Sequence, residues 1–379
     1  MDFLDHNATS PLDSRVLEAM LPFLHGETGN ASSRHGYGRA SRAAIEQARE
    51  QVAANVGAHP SQVIFTSGGT EADNLAILGI CAGLEPSQIC VGATEHPAVM
   101  RPAQALQKQG WQLAKIAVDG GGKLDVQSLA QNLQQPTGLV SVMTANNETG
   151  VLQDIPAIAG QARQHGAFMH TDAVQALGKI KLDFYALGVH AMSLSAHKIG
   201  GPQGAGALIV DKRLDIQPLL YGGGQEKGLR SGSENVAAIV GFGAACVWVQ
   251  QELVMRTATM SALRGQLEQG LRRLGAVIFG EQVSRIPNTS FFAFPDIDGE
   301  TLVMALDKQG FAAASGSACS SDSTEPSPVL LAMGVEPDLA KGAIRVSLGA
   351  GNTALQMSGF LKALQQELLK MKQMAAIAV

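Results

Sequence analysis

Short apolar segments alternate with amphipathic helical segments between residues 41 and 210, and this alternation constrains the fold more than any other feature. In residues 41–56 the apolar side chains recur on one helical face, while Ser41 can cap the start of the helix and Gly57 can end it. The apolar segment 63–66 follows as a predicted buried strand. The same alternation predicts strands at 89–91, 139–143, 167–170, 191–194 and 205–210, and helices at 72–80, 97–109 and 155–165. Such a pattern is typical of an α/β fold with a mainly parallel sheet covered by helices on both faces.

The pattern changes after about residue 255. A helix is predicted at 257–274, a strand at 288–294, a second helix at 300–309 and a terminal helix at 353–374. We therefore predict a large domain at residues 14–255. Residues 1–13 and 256–379 together are predicted to form a smaller α+β domain.

Composition excludes several classes of protein. With 45% hydrophobic and 16% charged residues, the chain of 379 residues is expected to be globular. The net charge of −5, without a basic stripe, argues against nucleic acid as a partner. We expect no membrane segment, because the most apolar stretch, at 241–249, is interrupted by Gly243 and followed by Gln250 and Glu252.

The chain has four cysteines, Cys81, Cys90, Cys246 and Cys319, which form neither a CxxC pair nor a metal-ligand spacing. The N-terminus also lacks the basic start and apolar core of a signal peptide. We therefore expect a cytoplasmic protein without structural disulfides and without a metal site.

Cys319 differs from the other cysteines because it lies in a run of small residues, Ser315-Gly-Ser-Ala-Cys319-Ser-Ser321. A segment of small residues can bring an accessible thiol to a substrate, and thiol chemistry depends on that access. Taken alone, the segment is equally well interpreted as an ordinary glycine–serine surface loop.

Lys198 ends the sequence Ser195-Ala-His-Lys198, which follows a predicted strand and precedes a glycine-rich turn. A lysine held at a strand end can point into a crevice and form a Schiff base with an aldehyde cofactor. The alternative is a solvated surface lysine, which is the commoner case.

Asp172 closes another predicted strand and can pair with the protonated ring nitrogen of pyridoxal phosphate, although it can equally cap a helix. Ser67-Gly-Gly-Thr70 precedes a predicted helix, so its backbone N–H groups and the helix dipole can hold a phosphate. The lysine of a nucleotide-binding P-loop is absent from this turn.

Three further residues complete the set. His96 follows a strand and can stack on a flat ring or move protons, or it can simply cap a helix. Asn147 lies in a polar turn after a strand, and Arg345 offers a fork for a carboxylate. Ligands of open α/β sheets lie at the carboxyl ends of the strands, so these residues together predict a pyridoxal phosphate site.

These motifs resemble those of the cysteine desulfurases in the class-V aminotransferase family, in particular its nitrogenase and iron–sulfur-cluster group. The resemblance runs from Leu4-Asp-His-Asn-Ala-Thr9 nearly to the end of the chain and includes Gly222-Gly-Gly224, Arg230-Ser-Gly-Ser233 and the long form of the cysteine loop. It implies the fold type I of pyridoxal phosphate-dependent transferases, with a mainly parallel seven-stranded sheet in the large domain and a smaller α+β domain.

The resemblance also implies roles for individual residues. Lys198 would bond to the cofactor and Asp172 would pair with its ring nitrogen, while Gln175 would bind the ring hydroxyl and His96 would stack on the ring. Asn147 and Arg345 would bind the substrate carboxylate. The phosphate would be held by Gly69, Thr70, Ser195 and His197, with Ser233 reaching over from the other subunit of a homodimer.

The implied activity converts L-cysteine to L-alanine and leaves the sulfur as a persulfide on Cys319, for delivery to an acceptor protein in iron–sulfur cluster assembly or thiolation. A selenocysteine lyase or another class-V aminotransferase is the nearest alternative, and a non-catalytic sulfur-assembly protein is a more distant one. Ala350 departs from the family pattern, in which an arginine usually follows Gly349, and this leaves the acceptor open.

Overall fold

The computed structural model describes residues 1–26, 29–316 and 325–377, except for the side chains of residues 372 and 374–377. The strands in chain order are β1 (Asp2–Phe3), β2 (Val63–Thr66), β3 (Gln88–Gly92), β4 (Gln112–Ile116), β5 (Thr137–Ser141), β6 (Phe168–Asp172), β7 (Ala191–Ser195), β8 (Gly206–Val210), β9 (Val277–Ile278), β10 (Thr289–Ala293), β11 (Phe311–Ala312), β12 (Ala314–Ser315) and β13 (Ile344–Ser347).

The α-helices in chain order are α1 (Ser14–His25), α2 (Gly36–Asn55), α3 (Gly69–Cys81), α4 (Pro97–Leu106), α5 (Val126–Asn132), α6 (Ile155–Gln164), α7 (Phe184–Leu187), α8 (Val236–Arg273), α9 (Gly299–Lys308), α10 (Pro328–Ala332), α11 (Pro337–Lys341) and α12 (Ala354–Ile377).

The large sheet has seven strands in the order β2-β8-β7-β6-β5-β3-β4. Strands β3 to β7 pair in parallel, whereas β8 runs antiparallel to both β7 and β2. The predicted mainly parallel sheet is therefore confirmed. Its parallel strands all end at one edge, which places the residues that follow them side by side.

Both faces of this sheet are buried, as the alternation of side chains along β3 illustrates. Cys90 belongs to a core that contains Val52 of α2 and Phe242 of α8. Its neighbours Ile89 and Val91 point to the other face, into a core with residues of α3 and α4. Continuous apolar strands are required when helices cover both faces of a sheet.

The smaller layer contains the antiparallel sheet β12-β13-β10-β9 and the parallel pair β1–β11. Its core joins Leu4 near the N-terminus to Phe292 of β10, Leu306 of α9 and Phe360 of α12. The first residues of the chain thus pack with its C-terminal part.

Helix α8 connects the two cores and corrects one prediction. The helix predicted to begin at residue 257 begins instead at Val236, where the side chain of Asn235 accepts a hydrogen bond from the N–H of Ala238. Its first half packs in the core of the large sheet through Phe242, and its second half packs in the smaller core through Leu267. The predicted boundary at residue 255 therefore falls inside a continuous helix.

By length and composition, α8 also contains an 18-residue window apolar enough to cross a membrane, a test that the buried core helix of a globular fold passes as well. Within this fold 44% of that window is buried. Its buried apolar side chains, such as Phe242, pack in the core of the large sheet.

Candidate active site

A cavity of about 410 Å³ lies at the carboxyl ends of the parallel strands, between the large sheet and the smaller layer. Ligands of open α/β sheets bind at this edge, and a cavity of this size suits a small cofactor and substrate. Of the predicted site residues that the structure describes, all but Ser233 line the cavity; these are Gly69, Thr70, His96, Asn147, Asp172, Gln175, Ser195, His197, Lys198 and Arg345.

Lys198 reaches the cavity through a single turn, residues 196–198, that directly follows β7. Its Nζ donates hydrogen bonds to the main-chain oxygens of Asn7 and Ala8, both at 2.6 Å. The sequence left open a solvated surface lysine, but this amino group lies in the wall of the cavity.

Asp172 is the last residue of β6 and is buried. Its Oδ1 accepts a hydrogen bond from the N–H of Val174 at 2.9 Å, which stabilises the turn after β6; no helix of the described chain begins there, so Asp172 is not a helix cap. Asp172 also lines the cavity. Burial raises the pKa of this carboxyl, while His96 and Lys198 act in the opposite direction. A cation in the cavity would therefore be stabilised by Asp172.

Two further buried carboxyls lie close enough to affect Asp172. Burial, and then the charge of Asp172, raises the pKa of Asp73 well above its ordinary value, and burial does the same for Glu95. One carboxyl oxygen of each residue is buried without a hydrogen-bond partner in the described chain. His170 does not neutralise Asp73, because burial lowers the pKa of this imidazole to about 3. The region beneath the cavity therefore favours a neighbouring positive charge.

The start of α3 forms an anion cradle. Gly69 is its first residue, and a Cβ at this position would lie 2.7 Å from Cγ2 of Val174, so only glycine fits without displacement. The hydroxyl of Ser195 faces the same cavity and is buried without a hydrogen-bond partner among the described residues. A helix N-terminus beside an unsatisfied hydroxyl is the arrangement expected for bound phosphate.

His96 caps a helix and also lines the cavity. Its Nδ1 accepts a hydrogen bond from the N–H of Ala98 at 3.1 Å, which caps α4, and its ring lines the cavity. Burial lowers the pKa of this imidazole, although Asp172 acts to raise it. In the neutral ring the proton is therefore on Nε2, because Nδ1 accepts from Ala98.

Arg345 extends from β13 of the smaller layer into the cavity. One terminal nitrogen donates to the main-chain oxygen of Asn147 at 3.0 Å, and the other donates to Oδ1 of Asp5 at 2.8 Å. Its Nε is buried without a hydrogen-bond partner in the described chain. The guanidinium thus places a positive charge at the point where the two layers meet.

Comparisons with known proteins show the family to which this chain belongs. The family model for aminotransferase class-V matches residues 2–360. The cysteine desulfurase IscS of Dictyoglomus turgidum is 40% identical over 374 residues, which cover 98% of this chain and 95% of the relative. The chain belongs to the cysteine desulfurases of the class-V aminotransferase family.

Solved structures support the same assignment. A NifS-like protein superimposes with a TM-score of 0.92 at 37% identity, covering 97% of this chain and 99% of the other. SspA, solved in complex with cysteine, superimposes with a TM-score of 0.82 at 29% identity, covering 93% of this chain and 100% of the other. The prediction of the desulfurase family and of its fold is confirmed.

One predicted site residue that the structure describes, Ser233, does not line the cavity. Ser233 is exposed and lines a separate cleft with Thr66 and Ser67, so its predicted role in the site of another subunit stays a prediction. Cys319 lies in segment 317–324, outside the described residues.

Asn7 also lines the cavity, and the sequence predicted no role for it. It lies in the N-terminal motif that carries part of the family resemblance. Its main-chain oxygen accepts from Lys198 and also, at 2.9 Å, from Nε2 of Gln175. Its side-chain Nδ2 donates to the main-chain oxygen of Asn147 and, at 2.8 Å, to Oγ1 of Thr289 in the smaller layer. Asn7 therefore links the candidate Schiff-base lysine to both layers.

Proposed function

We propose that this chain is a pyridoxal phosphate-dependent cysteine desulfurase, which converts L-cysteine to L-alanine and transfers the sulfur to Cys319 as a persulfide. One observation carries the proposal: Lys198, Asp172 and His96 of the large sheet converge with Arg345 of the smaller layer on one cavity of about 410 Å³. The relatives named cysteine desulfurase support the interpretation of this cavity as a desulfurase active site.

The residues of the cavity fit pyridoxal phosphate. The unsatisfied hydroxyl of Ser195, the start of α3 at Gly69 and Thr70, and His197 would hold its phosphate. Lys198 would bond to its aldehyde carbon, Asp172 would pair with the ring nitrogen, Gln175 would bind the ring hydroxyl and His96 would stack on the ring. When bound, this cofactor supplies an electron sink that allows the α-proton of an amino acid to leave.

The remaining residues would orient the substrate and move its protons. Arg345 and Asn147 would bind the carboxylate of L-cysteine, because a guanidinium offers paired N–H donors to a carboxylate. The amino group of Lys198 lies in the cavity and can accept and return the α-proton. His96 lines the same cavity, and its neutral ring can donate a proton from Nε2, because Nδ1 accepts from the N–H of Ala98.

Cys319 is the thiol best suited to sulfur transfer. Cys81, Cys90 and Cys246 are buried, and burial raises the pKa of each thiol, to about 12 for Cys81. In the transfer itself, the thiolate of Cys319 attacks the substrate sulfur and the carbon–sulfur bond breaks. The electron pair stays on the carbon fragment, which is then protonated to alanine.

The persulfide would pass to an acceptor protein, for iron–sulfur cluster assembly or for thiolation. We further infer that the enzyme is a cytoplasmic homodimer, in which Ser233 of one subunit completes the phosphate site of the other. Its exposed position supports this role, and the free thiols among the described residues are typical of a reducing compartment.

The test measures alanine and sulfide released from L-cysteine in the presence of a reducing thiol, for the wild type and for Cys319→Ser. We expect the wild type to form both products and the variant to form neither, while its visible absorption by bound cofactor is unchanged. Full activity of Cys319→Ser would instead identify a pyridoxal enzyme of another kind. Preference for selenocysteine in a competition assay would favour the selenocysteine lyase alternative.

A further inference from the structure

Lys179 is a buried lysine, only 5% exposed, that the proposed mechanism does not use. Its Nζ donates hydrogen bonds to Oε1 of Gln175 at 2.6 Å and to Oδ1 of Asn7 at 3.0 Å. Both acceptors are neutral amide oxygens. Burial lowers the pKa of this amino group well below its ordinary value, and the nearby charges of Lys198 and Arg345 lower it further. Among the described residues, the hydrogen bonds of its amino group go to these two amide oxygens and to no carboxylate. Such burial of a lysine is costly, and a functional role would explain it.

The contact with Lys179 fixes which way the amide of Gln175 faces. The amino group of Lys179 donates its hydrogen bond to Oε1 of Gln175, so the carbonyl oxygen of the amide faces the lysine. On its other side Gln175 meets the main-chain oxygen of Asn7, which can only accept, and Nε2 donates to it at 2.9 Å. Both neighbours therefore require the same orientation of the amide.

A rotated amide would lose both contacts. Its Oε1 would face the main-chain oxygen of Asn7, where two acceptors repel each other, and its Nε2 would face the N–H groups of Lys179. In the observed orientation, Nε2 uses one N–H on Asn7 and has a second N–H for the cavity that Gln175 lines.

We propose that Lys179 is a positioning residue, which holds the amide of Gln175 so that an N–H, and not a carbonyl oxygen, faces the anionic ring oxygen of the cofactor. This inference rests on the proposed function, because it requires pyridoxal phosphate in the cavity. An N–H donated to an anionic oxygen is a charge-assisted hydrogen bond, whereas a carbonyl oxygen at that place would repel the same atom.

A purely structural role for Lys179 makes a different prediction. Its second hydrogen bond reaches Asn7, whose Oδ1 also accepts from Nδ2 of Asn288 at 3.1 Å in the smaller layer. If Lys179 only linked the two layers, its loss would lower the stability of the protein and leave the properties of the bound cofactor unchanged.

The test compares the holoenzymes of the wild type, Lys179→Met and Lys181→Met. Methionine keeps the length of the side chain and removes its donors, and the exposed Lys181 provides a control two residues away. For each protein we would titrate the visible absorption of the bound cofactor with pH and measure the dissociation constant of pyridoxal phosphate by equilibrium dialysis. We expect Lys179→Met to bind about fivefold more weakly, as for one lost hydrogen bond. Its titration midpoint should rise, because the anionic ring oxygen loses a donor, while Lys181→Met should match the wild type.

A second comparison shows whether Lys179 acts through Gln175. In a Gln175→Ala background, adding Lys179→Met should cause no further shift of the midpoint. An equal shift in both backgrounds, or wild-type properties of Lys179→Met, would overturn the proposal.

Lys179→Gln keeps an N–H donor but removes the charge. It tests the proposed positioning of Gln175 even if Lys179→Met does not fold. A midpoint near that of the wild type supports positioning by hydrogen bonding, and a clear upward shift overturns it. Absence of a visible band when pyridoxal phosphate is added to the wild type would contradict the proposed function itself, which is a separate outcome.

Discussion

Ala314 pairs with Arg345 in the antiparallel ladder between β12 and β13. The side chain of Arg345 lines the candidate active site, and Ala314 lies five positions before Cys319 in the chain. On the other side of the cysteine segment, the hydroxyl of Ser327 donates a hydrogen bond to the carboxyl of Glu148. Both flanks of the segment that carries Cys319 are therefore attached to residues at or beside the candidate site.

Glu148 makes the stability of this attachment depend on pH. Burial raises the pKa of its carboxyl from 4.5 to about 7, although Ser327 and Arg345 act to lower it. Because the folded protein holds this proton more tightly than the unfolded chain, the stabilisation is complete below pH 4.5. It is lost as the pH rises to about 7. Relative to Glu148→Gln, the free energy of unfolding of the wild type should fall by roughly 3 kcal/mol over this range.

Denaturant unfolding of the wild type and Glu148→Gln between pH 4.5 and 8 measures this difference. Glu18→Gln, at an exposed position of α1, serves as the control and should follow the wild type at every pH. If the free energies of unfolding of Glu148→Gln and the wild type differ by the same amount at every pH, the pKa of Glu148 is not raised in the folded protein.

Arg345→Lys should weaken the binding of L-cysteine. Lysine keeps the charge but cannot present the paired N–H groups that a carboxylate accepts. We expect KM for L-cysteine to increase about tenfold or more, with a smaller effect on kcat, because the carboxylate is bound throughout the reaction. Arg273→Lys, at an exposed position near the end of α8, should leave both parameters unchanged. An unaltered KM in Arg345→Lys would exclude Arg345 as the carboxylate-binding residue.

Apolar periodicity predicted most of the fold because most strands of the large sheet are buried on both faces. The strand at 63–66 has the predicted bounds, and β7 differs from its predicted range by one residue. The edge strand β4 was missed because it carries partly exposed and polar residues, Gln112 and Lys115 among them, and so lacks an apolar run. The full length of α8 was also missed, because its buried face changes from one core to the other along the helix.

The residues of the candidate site were also predicted only in part. Lys198, Asp172 and His96 follow strands closely in sequence, so the shared edge of a parallel sheet was enough to place them together. Asn7 and Lys179 were missed because their importance depends on contacts between distant parts of the chain, such as the one between Asn7 and Gln175, 168 positions apart. Local patterns carry no information on contacts of that kind.

Lys198→Ala should abolish the visible absorption of the bound cofactor, because the amino group that bonds to its aldehyde carbon is removed. Lys181→Ala is the matched control, since this lysine is exposed and lies outside the cavity. Absorption spectra of the two purified variants after incubation with pyridoxal phosphate measure the effect. A band of wild-type intensity in Lys198→Ala would mean that another lysine carries the cofactor.

Activity should depend on residues from two subunits. Ser233 is exposed, and its segment is attached to its own subunit by an ion pair in which Nε of Arg230 donates to Oε1 of Glu71 at 2.7 Å. If Ser233 completes the site of the partner subunit, Ser233→Glu places a carboxylate beside the partner's phosphate and abolishes activity by charge repulsion. Lys198→Ala is inactive for a different reason, so a mixed dimer of the two variants contains one intact site and one doubly altered site.

Co-expression of Lys198→Ala and Ser233→Glu with different affinity tags allows the mixed dimer to be purified and assayed for alanine release. We expect about half the wild-type activity per dimer, because only one site combines an unaltered Lys198 with an unaltered Ser233. The two homodimers, assayed alone, should be inactive. If Ser233 served the site of its own subunit, neither site of the mixed dimer would be intact and its activity would stay at the level of the homodimers. Sedimentation of the wild type as a fully active monomer would contradict the shared site directly.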